Sequence, residues 1–372
     1  MNRLITCFDK DKLTRIFSWG IYLFVNLIFC IKYNPVAGVK VSCLLIAYPL
    51  FVWSIFKLAR YRNVQESRCF FIFVAAFILS LAFLLMHYID KYTVDVDRWS
   101  ALAFWSENLK NGVFPYGTPT HKGGYASPYP VWQLFHFPFH LLGDTGYGQL
   151  FCLFVFFVFL YFSRKRLAGG AFILLLALSP GFWWEMSVRS DLLCNMLLAY
   201  MFLSSMFYYQ LWSKRLYLTA TVTGLFLCTK MLVAIPLFLF VFPHFLRLAT
   251  KEKVCFALLA VAGALVPFIP FLFGERGILN HPEYNPALQQ ARQGNIWVAA
   301  ALFALTVSAS LRWKTMRDCF FLSGLFLFLL IASVGVEITL SGDIHYTLFG
   351  DEFDISYFNV SIPFFLFCLN RK

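Results

Sequence analysis

Asp95 and Asp97 stand two residues apart in a polar stretch just beyond a long apolar run. On a helix that spacing turns the two carboxylates to different faces, whereas an extended strand puts them on one. It therefore points to a single proton-accepting carboxylate with a neighbouring helper, not to a symmetrical acid pair. Both acids also have plainer roles open to them. Asp97 precedes a helical pattern and suits an N-cap, which is worth about 1 kcal/mol, and Asp95 suits a solvated loop. A second set of charges lies at the edges of apolar runs. Ser187-Val188-Arg189-Ser190-Asp191 holds a cation and an anion at a spacing that allows a mutual ion pair at a membrane boundary. Lys230 ends the apolar run that begins at 216. An ionisable group there is costly unless it is paired or snorkels to the interface, which makes it a functional candidate by default.

Composition dictates what must position these residues. Of 372 residues, 60% are hydrophobic and 13% charged, Phe alone numbers 46, and the mean hydropathy is +0.69. A soluble domain carries about 25% charged residues, so this balance suits a chain that faces lipid. A spanning helix needs roughly 17–25 mostly apolar residues, and packed bundles use some shorter ones. Twelve runs meet this description: 16–31, 41–57, 69–89, 148–162, 167–183, 191–210, 216–230, 231–246, 254–273, 296–311, 318–336 and 355–369. The expected fold class is all-α, a polytopic transmembrane helix bundle. The cut between 216 and 246 is the hardest to draw, because Lys230 and Pro236 interrupt a stretch that exceeds one span and barely fills two. The ten cysteines are scattered singly without CxxC spacing, so neither a disulfide framework nor a zinc site is expected. Arg3, Lys10, Lys12 and Arg15 precede a first span that lacks a small-residue cleavage site, so no cleaved leader is expected.

Charge alternation orients the bundle. With a cytoplasmic N-terminus, every inner segment is short and basic: Lys57, Arg60, Arg62 and Arg68 fall in one, Arg164, Lys165 and Arg166 in another, Arg312, Lys314 and Arg317 in a third. All acids except Asp9, Asp11, Glu66, Glu252 and Asp318 fall on the opposite side. A parity error in any span would scramble this pattern. Both termini are therefore expected in the cytoplasm. The net charge of +12 is topology charge beside spans, and no nucleic-acid partner is expected.

Three outer segments, 90–147, 274–295 and 337–354, are much longer than the inner turns and place the working surface outside. In the first, 98–110 reads as an amphipathic interfacial helix whose apolar side is Trp99, Leu102, Phe104, Trp105 and Leu109. A Pro/Tyr/Gly stretch follows, through Tyr116, His121 and Tyr129, and must form turns and extended chain. Val131–Leu142 is a second apolar segment too short to span.

The order of an acid beyond a span, an interfacial helix, Asn111-Gly112-x-x-Pro115-Tyr116 and a segment ending in Tyr129-Pro130 resembles the first large outer loop of the GT-C superfamily of polytopic glycosyltransferases. Ser187-Val188-Arg189-Ser190-Asp191 resembles their segment at an outer helix mouth, and Gly224 to Lys230 followed by Pro236 resembles their Gly-containing span ending in a basic residue. The resemblance covers roughly residues 90–245. It departs from the family in placing the acidic loop after the third span, which makes 1–68 an added N-terminal hairpin and cytoplasmic linker, and 69–372 the GT-C-like domain.

The resemblance implies transfer of a sugar from a polyprenyl-phosphate-linked donor to a glycan or glycolipid acceptor, with inversion, on the non-cytoplasmic face. Such a step needs a carboxylate to take the proton of the attacking hydroxyl and positive charge to meet the departing phosphate. Asp97 is then the first candidate base and Asp95 the second. Arg189 and Lys230 are candidates for the phosphate, while Arg98, Asp191, Tyr116, Tyr129 and His121 are further candidates for binding substrate. Interfacial aromatic belts account equally for the tyrosines. The acids of 337–354 (Glu337, Asp343, Asp351, Glu352 and Asp354) with His345 allow a divalent cation, although a solvated acidic loop accounts for them too. Two other readings stand beside this one: an envelope polysaccharide polymerase or ligase, and a lipid-linked sugar transporter or flippase. The expected location is a bacterial plasma membrane.

Overall fold

The computed structural model describes residues 10–33, 41–94, 96–167, 169–291, 295–342, 347, 350 and 353–369. Each of the twelve apolar runs is helical, and no strand occurs among the described residues. In chain order the helices are α1 (Lys10–Lys32), α2 (Val41–Tyr61), α3 (Arg68–Tyr88), α4 (Arg98–Lys110), α5 (Pro130–Leu141), α6 (Tyr147–Leu167), α7 (Gly169–Ala177), α8 (Pro180–Ser187) and α9 (Leu192–Tyr208). They continue with α10 (Leu211–Lys214), α11 (Leu216–Leu227), α12 (Ala234–Leu246), α13 (Thr250–Leu265), α14 (Ile269–Leu272), α15 (Pro286–Ala291), α16 (Ile296–Ser310), α17 (Met316–Ser341) and α18 (Ile362–Cys368). Among the described residues, five helices are long and apolar enough to cross a membrane: α1, α2, α3, α17 and the α13–α14 stretch. The remaining seven runs form one bent pair and six shorter apolar helices.

Local chemistry explains the breaks. Pro180 cannot continue the hydrogen-bond ladder of α7, and the Ser179 hydroxyl caps the restarted helix by accepting from the Phe182 amide. The α7–α8 axis bends by 68° there. The doubtful stretch 216–246 breaks at Cys228–Val233, where Lys230 is extended. A break inside an apolar layer is tolerated only if its freed backbone groups find partners. Here the carbonyls of Thr229 and Cys228 accept from the amides of Tyr129 and Val131 at 3.0 and 3.2 Å, and the Met231 amide donates to Gln290 at 2.6 Å. The segments around Tyr129 and Gln290 thus stitch the break together.

The core gathers on α9, α7, α6 and α18, with Tyr200, Phe156, Phe172, Phe320 and Phe364 fully buried. Helix α1 joins it: the Tyr22 hydroxyl donates to the Leu175 carbonyl at 2.7 Å, and Asn26 accepts from the Ser179 hydroxyl at 2.6 Å. By contrast α2 and α13 leave whole rows such as Leu45, Ile46, Leu50 and Val254, Leu258, Val261 uncovered, as helices facing lipid do. Helices α11 and α13 touch backbone to backbone, for a Cβ on Gly224 would lie 2.1 Å from the Ala260 carbonyl oxygen. The start of α1, the start of α17 and the end of α18 share one face. Lys10 pairs with Asp318 at 2.7 Å and Arg317 donates to the Cys368 carbonyl at 2.7 Å.

Helix α4 has the predicted limits but not the predicted character. Trp99, Leu102 and Trp105 are buried, and so are Ser100, Ala101, Ala103 and Ser106 on the other sides. The outer segments close over it: Trp105 packs on Tyr116 and Phe271, and Trp99 on His121. It is buried on several sides by protein, not amphipathic with one covered face.

Candidate functional site

The junction of α8 and α9 concentrates buried charge. Arg189 adopts φ +56°, a left-handed conformation that non-glycine residues rarely take, and the chain turns sharply there. Arg189 and Asp191 consequently do not pair with each other. The Arg189 Nε donates to Asp144 at 2.9 Å, and its Nη2 donates to the carbonyls of Ile89, at 3.1 Å, and Met86. Asp191 instead faces Lys230, whose Nζ lies 3.0 Å from Oδ1 and 2.9 Å from Oδ2, and it also accepts from the Trp132 indole N–H. Both members of the Asp191–Lys230 pair are buried. Next to them, burial pushes the His136 imidazole down to about 4, so it stays neutral near physiological pH.

Six residues before Asp191, Glu185 is fully buried. Its Oε2 accepts from the Leu193 amide and its Oε1 from the Asn359 side chain, both at 3.0 Å. Nothing in the spacing of Trp183-Trp184-Glu185 drew attention to it, yet the rule that singled out Lys230, an ionisable group in an apolar run, applies equally. Asp144, Trp132 and Asn359 were missed for a different reason. Their partners are remote in sequence.

Asp97 occupies the N-cap position of α4 without capping it. Its Oδ2 accepts from the Thr120 hydroxyl at 2.9 Å, and its main-chain carbonyl accepts from the Ala101 amide at 2.9 Å and the Ser100 hydroxyl at 2.8 Å. The half-buried carboxylate is left with unused acceptor capacity. Asp95 lies outside the described residues. Arg98, the next residue, points inward: its Nη1 donates to the Ser190 hydroxyl at 2.6 Å, its Nη2 pairs with Asp354, and its guanidinium sits 4.8 Å above the centre of the Tyr357 ring. Asp354 is thus an ion-pair partner and not a free loop acid.

Tyr357 and Lys230 line the same cavity, of about 280 Å³, between the α11–α12 break, α15, α16 and α17. Its lining combines the polar Ser127, Gln289 and Gln290 with the apolar Leu330, Ile331, Val334 and Phe353. Lys230 has three donors and Asp191 engages it with both oxygens, leaving capacity toward the cavity. Comparison with known proteins matches the chain to no family, no curated protein and no solved structure.

Of the residues singled out in sequence, the structure joins Lys230 to Asp191 directly and Arg98 to the same cavity through Tyr357. Asp97 is not among the cavity's described lining residues. Tyr116 is buried in the outer layer and donates to the Pro128 carbonyl at 3.1 Å, so it supports the loop. Tyr129 packs on Phe268 and binds the break through its amide. His121 pairs with the Ser100 hydroxyl at 2.7 Å. No group of three or more metal-ligating side chains occurs among the described residues. Asp343, His345, Asp351 and Glu352, the core of the cation suggestion, lie outside them.

Proposed function

We propose that this chain is a multi-pass membrane glycosyltransferase that takes a sugar from a polyprenyl-phosphate-linked donor and passes it to a glycan or lipid-linked acceptor on the non-cytoplasmic face. The observation that carries the reading is an amphipathic cavity whose described lining holds one charged side chain, Lys230. Leu330, Ile331, Val334 and Phe353 suit the first isoprene units of a lipid, and Lys230 suits the phosphate that follows them. A cation already desolvated and held by Asp191 meets the growing charge of a leaving phosphate without reorganising. Asp97, uncapped and with acceptor capacity to spare, serves as the base for the acceptor hydroxyl. Twelve crossings, cytoplasmic termini and a bacterial plasma membrane complete the reading, supported by the positive-inside pattern.

A second reading has one observation in its favour. Buried charge beside interrupted helices is also how transporters hold their cargo, and the Asp191–Lys230 pair sits at such a break. Mass analysis of lipid-linked glycans in a deletion strain separates the two. Transfer predicts a glycan shortened by one sugar, whereas a full-length glycan confined to the cytoplasmic leaflet would replace transfer by transport.

A further inference from the structure

The largest cleft among those described lies at the other end of the bundle, far in sequence from Asp97 and Lys230. It has about 560 Å³ and opens between α1, the end of α16 and the start of α17. Its chemistry changes along its length. Lys10, Arg312 and Asp318 form one end, and Phe17, Leu305 and Leu325 the other. Seven residues of helix separate Lys10 from Phe17, and Arg312 lies in the turn just past the end of α16, which carries Leu305, so the polar and apolar ends lie about 10 Å apart. That is the depth over which a bilayer passes from headgroup to acyl chain.

The charges at the polar end do not cancel. Lys10 and Asp318 neutralise each other at 2.7 Å. Arg312 is exposed, lines the cleft and has no ion-pair or side-chain hydrogen-bond partner among the described residues. Trp313 forms a fixed wall, because its indole N–H donates to the Leu239 carbonyl at 2.8 Å and its ring stacks on Phe240. Phe17 and Leu305 are more than half exposed at the deep end, so the apolar wall lacks a protein cover. A guanidinium free for bidentate contact above an uncovered apolar slot matches a phosphodiester carrying acyl chains.

We propose that this cleft binds an anionic phospholipid of the leaflet that bathes the basic face, its phosphate on Arg312 and one acyl chain along Phe17, Leu305 and Leu325. The site is independent of the sugar-transfer reading and needs only that the chain resides in a bilayer.

Native mass spectrometry of protein released from nanodiscs of phosphatidylcholine with or without phosphatidylglycerol tests it. Wild type should keep phosphatidylglycerol in preference to phosphatidylcholine. Arg312→Gln should lower that retention about fivefold, the effect of one basic group near an anionic surface. Arg312→Lys should restore most of it, and Lys251→Gln, at an exposed basic position elsewhere, should change nothing. Equal retention in wild type and Arg312→Gln would overturn the proposal. So would equal loss in Lys251→Gln, which would mean diffuse surface attraction, or a shift from dimer to monomer in Arg312→Gln, which would make a second copy the occupant.

Discussion

Two ion pairs that start from residues two apart in sequence, Arg189 and Asp191, have different surroundings. Arg189–Asp144 ties the end of α3 to the turn before α6, and its guanidinium also holds two backbone carbonyls. Its remaining nitrogen, Nη1, is buried without an acceptor. Lys230–Asp191 spans from a helix break to the mouth of α9, and Lys230 lines a cavity with apolar walls. The first pair ties three backbone segments together and borders a cleft of about 420 Å³ shared with His87, Asp90 and Lys91, so its cation already sits among acids and carbonyls and acts as a strut. The second keeps a donor in reserve at a place shaped for an amphiphile. Burial and charge alone do not separate a clamp from a binding group, and neither does a neighbouring cavity; the lining does, with Asp90 and Asp144 beside Arg189 and Leu330, Ile331, Val334 and Phe353 beside Lys230.

The comparison breaks most visibly at Lys230. Lys230→Met leaves Asp191 buried and unpaired, which should cost about 3–5 kcal/mol of stability and abolish transfer. The double variant Lys230→Met/Asp191→Leu should recover most of the thermal stability in detergent while remaining inactive. Recovery of transfer in the double variant would reduce the pair to a second strut. Asp97→Asn should lower transfer roughly 10²–10⁴-fold, the usual contribution of a general base. Its melting temperature should hardly change, since the carboxylate caps nothing. A variant that melts early but turns over normally would return Asp97 to a structural role.

Arg189→Ala should show the reverse pattern. Removing the strut should cost about 2–4 kcal/mol, and the protein that remains folded should transfer sugar within about threefold of wild type. Loss of transfer without loss of stability would move Arg189 to the phosphate. The smallest effect concerns the outer layer. The His140 imidazole, 2.8 Å away, holds the exposed Glu107 carboxyl down at about 2, against an ordinary value of 4.5. A depressed acid contributes stability above its unfolded value and loses it as pH falls through the folded one. The melting temperature of wild type should therefore fall faster than that of Glu107→Gln between about pH 4.5 and 2; parallel curves would show that the contact contributes nothing.

Much of the frame was readable from sequence because lipid imposes length and charge rules on every span. All twelve runs are helical, and the doubtful stretch breaks at 228–233 around Lys230, while Pro236 falls in the first turn of α12. The candidate site was readable only in part. Lys230 was conspicuous as a cation in an apolar run, but its partner is 39 residues away, and the neighbouring Arg189 offered a nearer choice. The turn that separates them depends on one left-handed residue, which no pattern of residue types announces. The burial of α4 was likewise hidden, since part of its cover, Phe271, comes from more than 160 residues downstream and the rest from turns of its own loop at Tyr116 and His121.

Binding of a polyprenyl phosphate and of the corresponding uncharged polyprenol, compared between wild type and Lys230→Met/Asp191→Leu, tests the central claim most directly. Wild type should prefer the phosphate by about tenfold or more, a difference of about 1.4 kcal/mol, and the double variant should bind both lipids alike. A double variant that keeps the full preference would place the phosphate elsewhere and contradict the account.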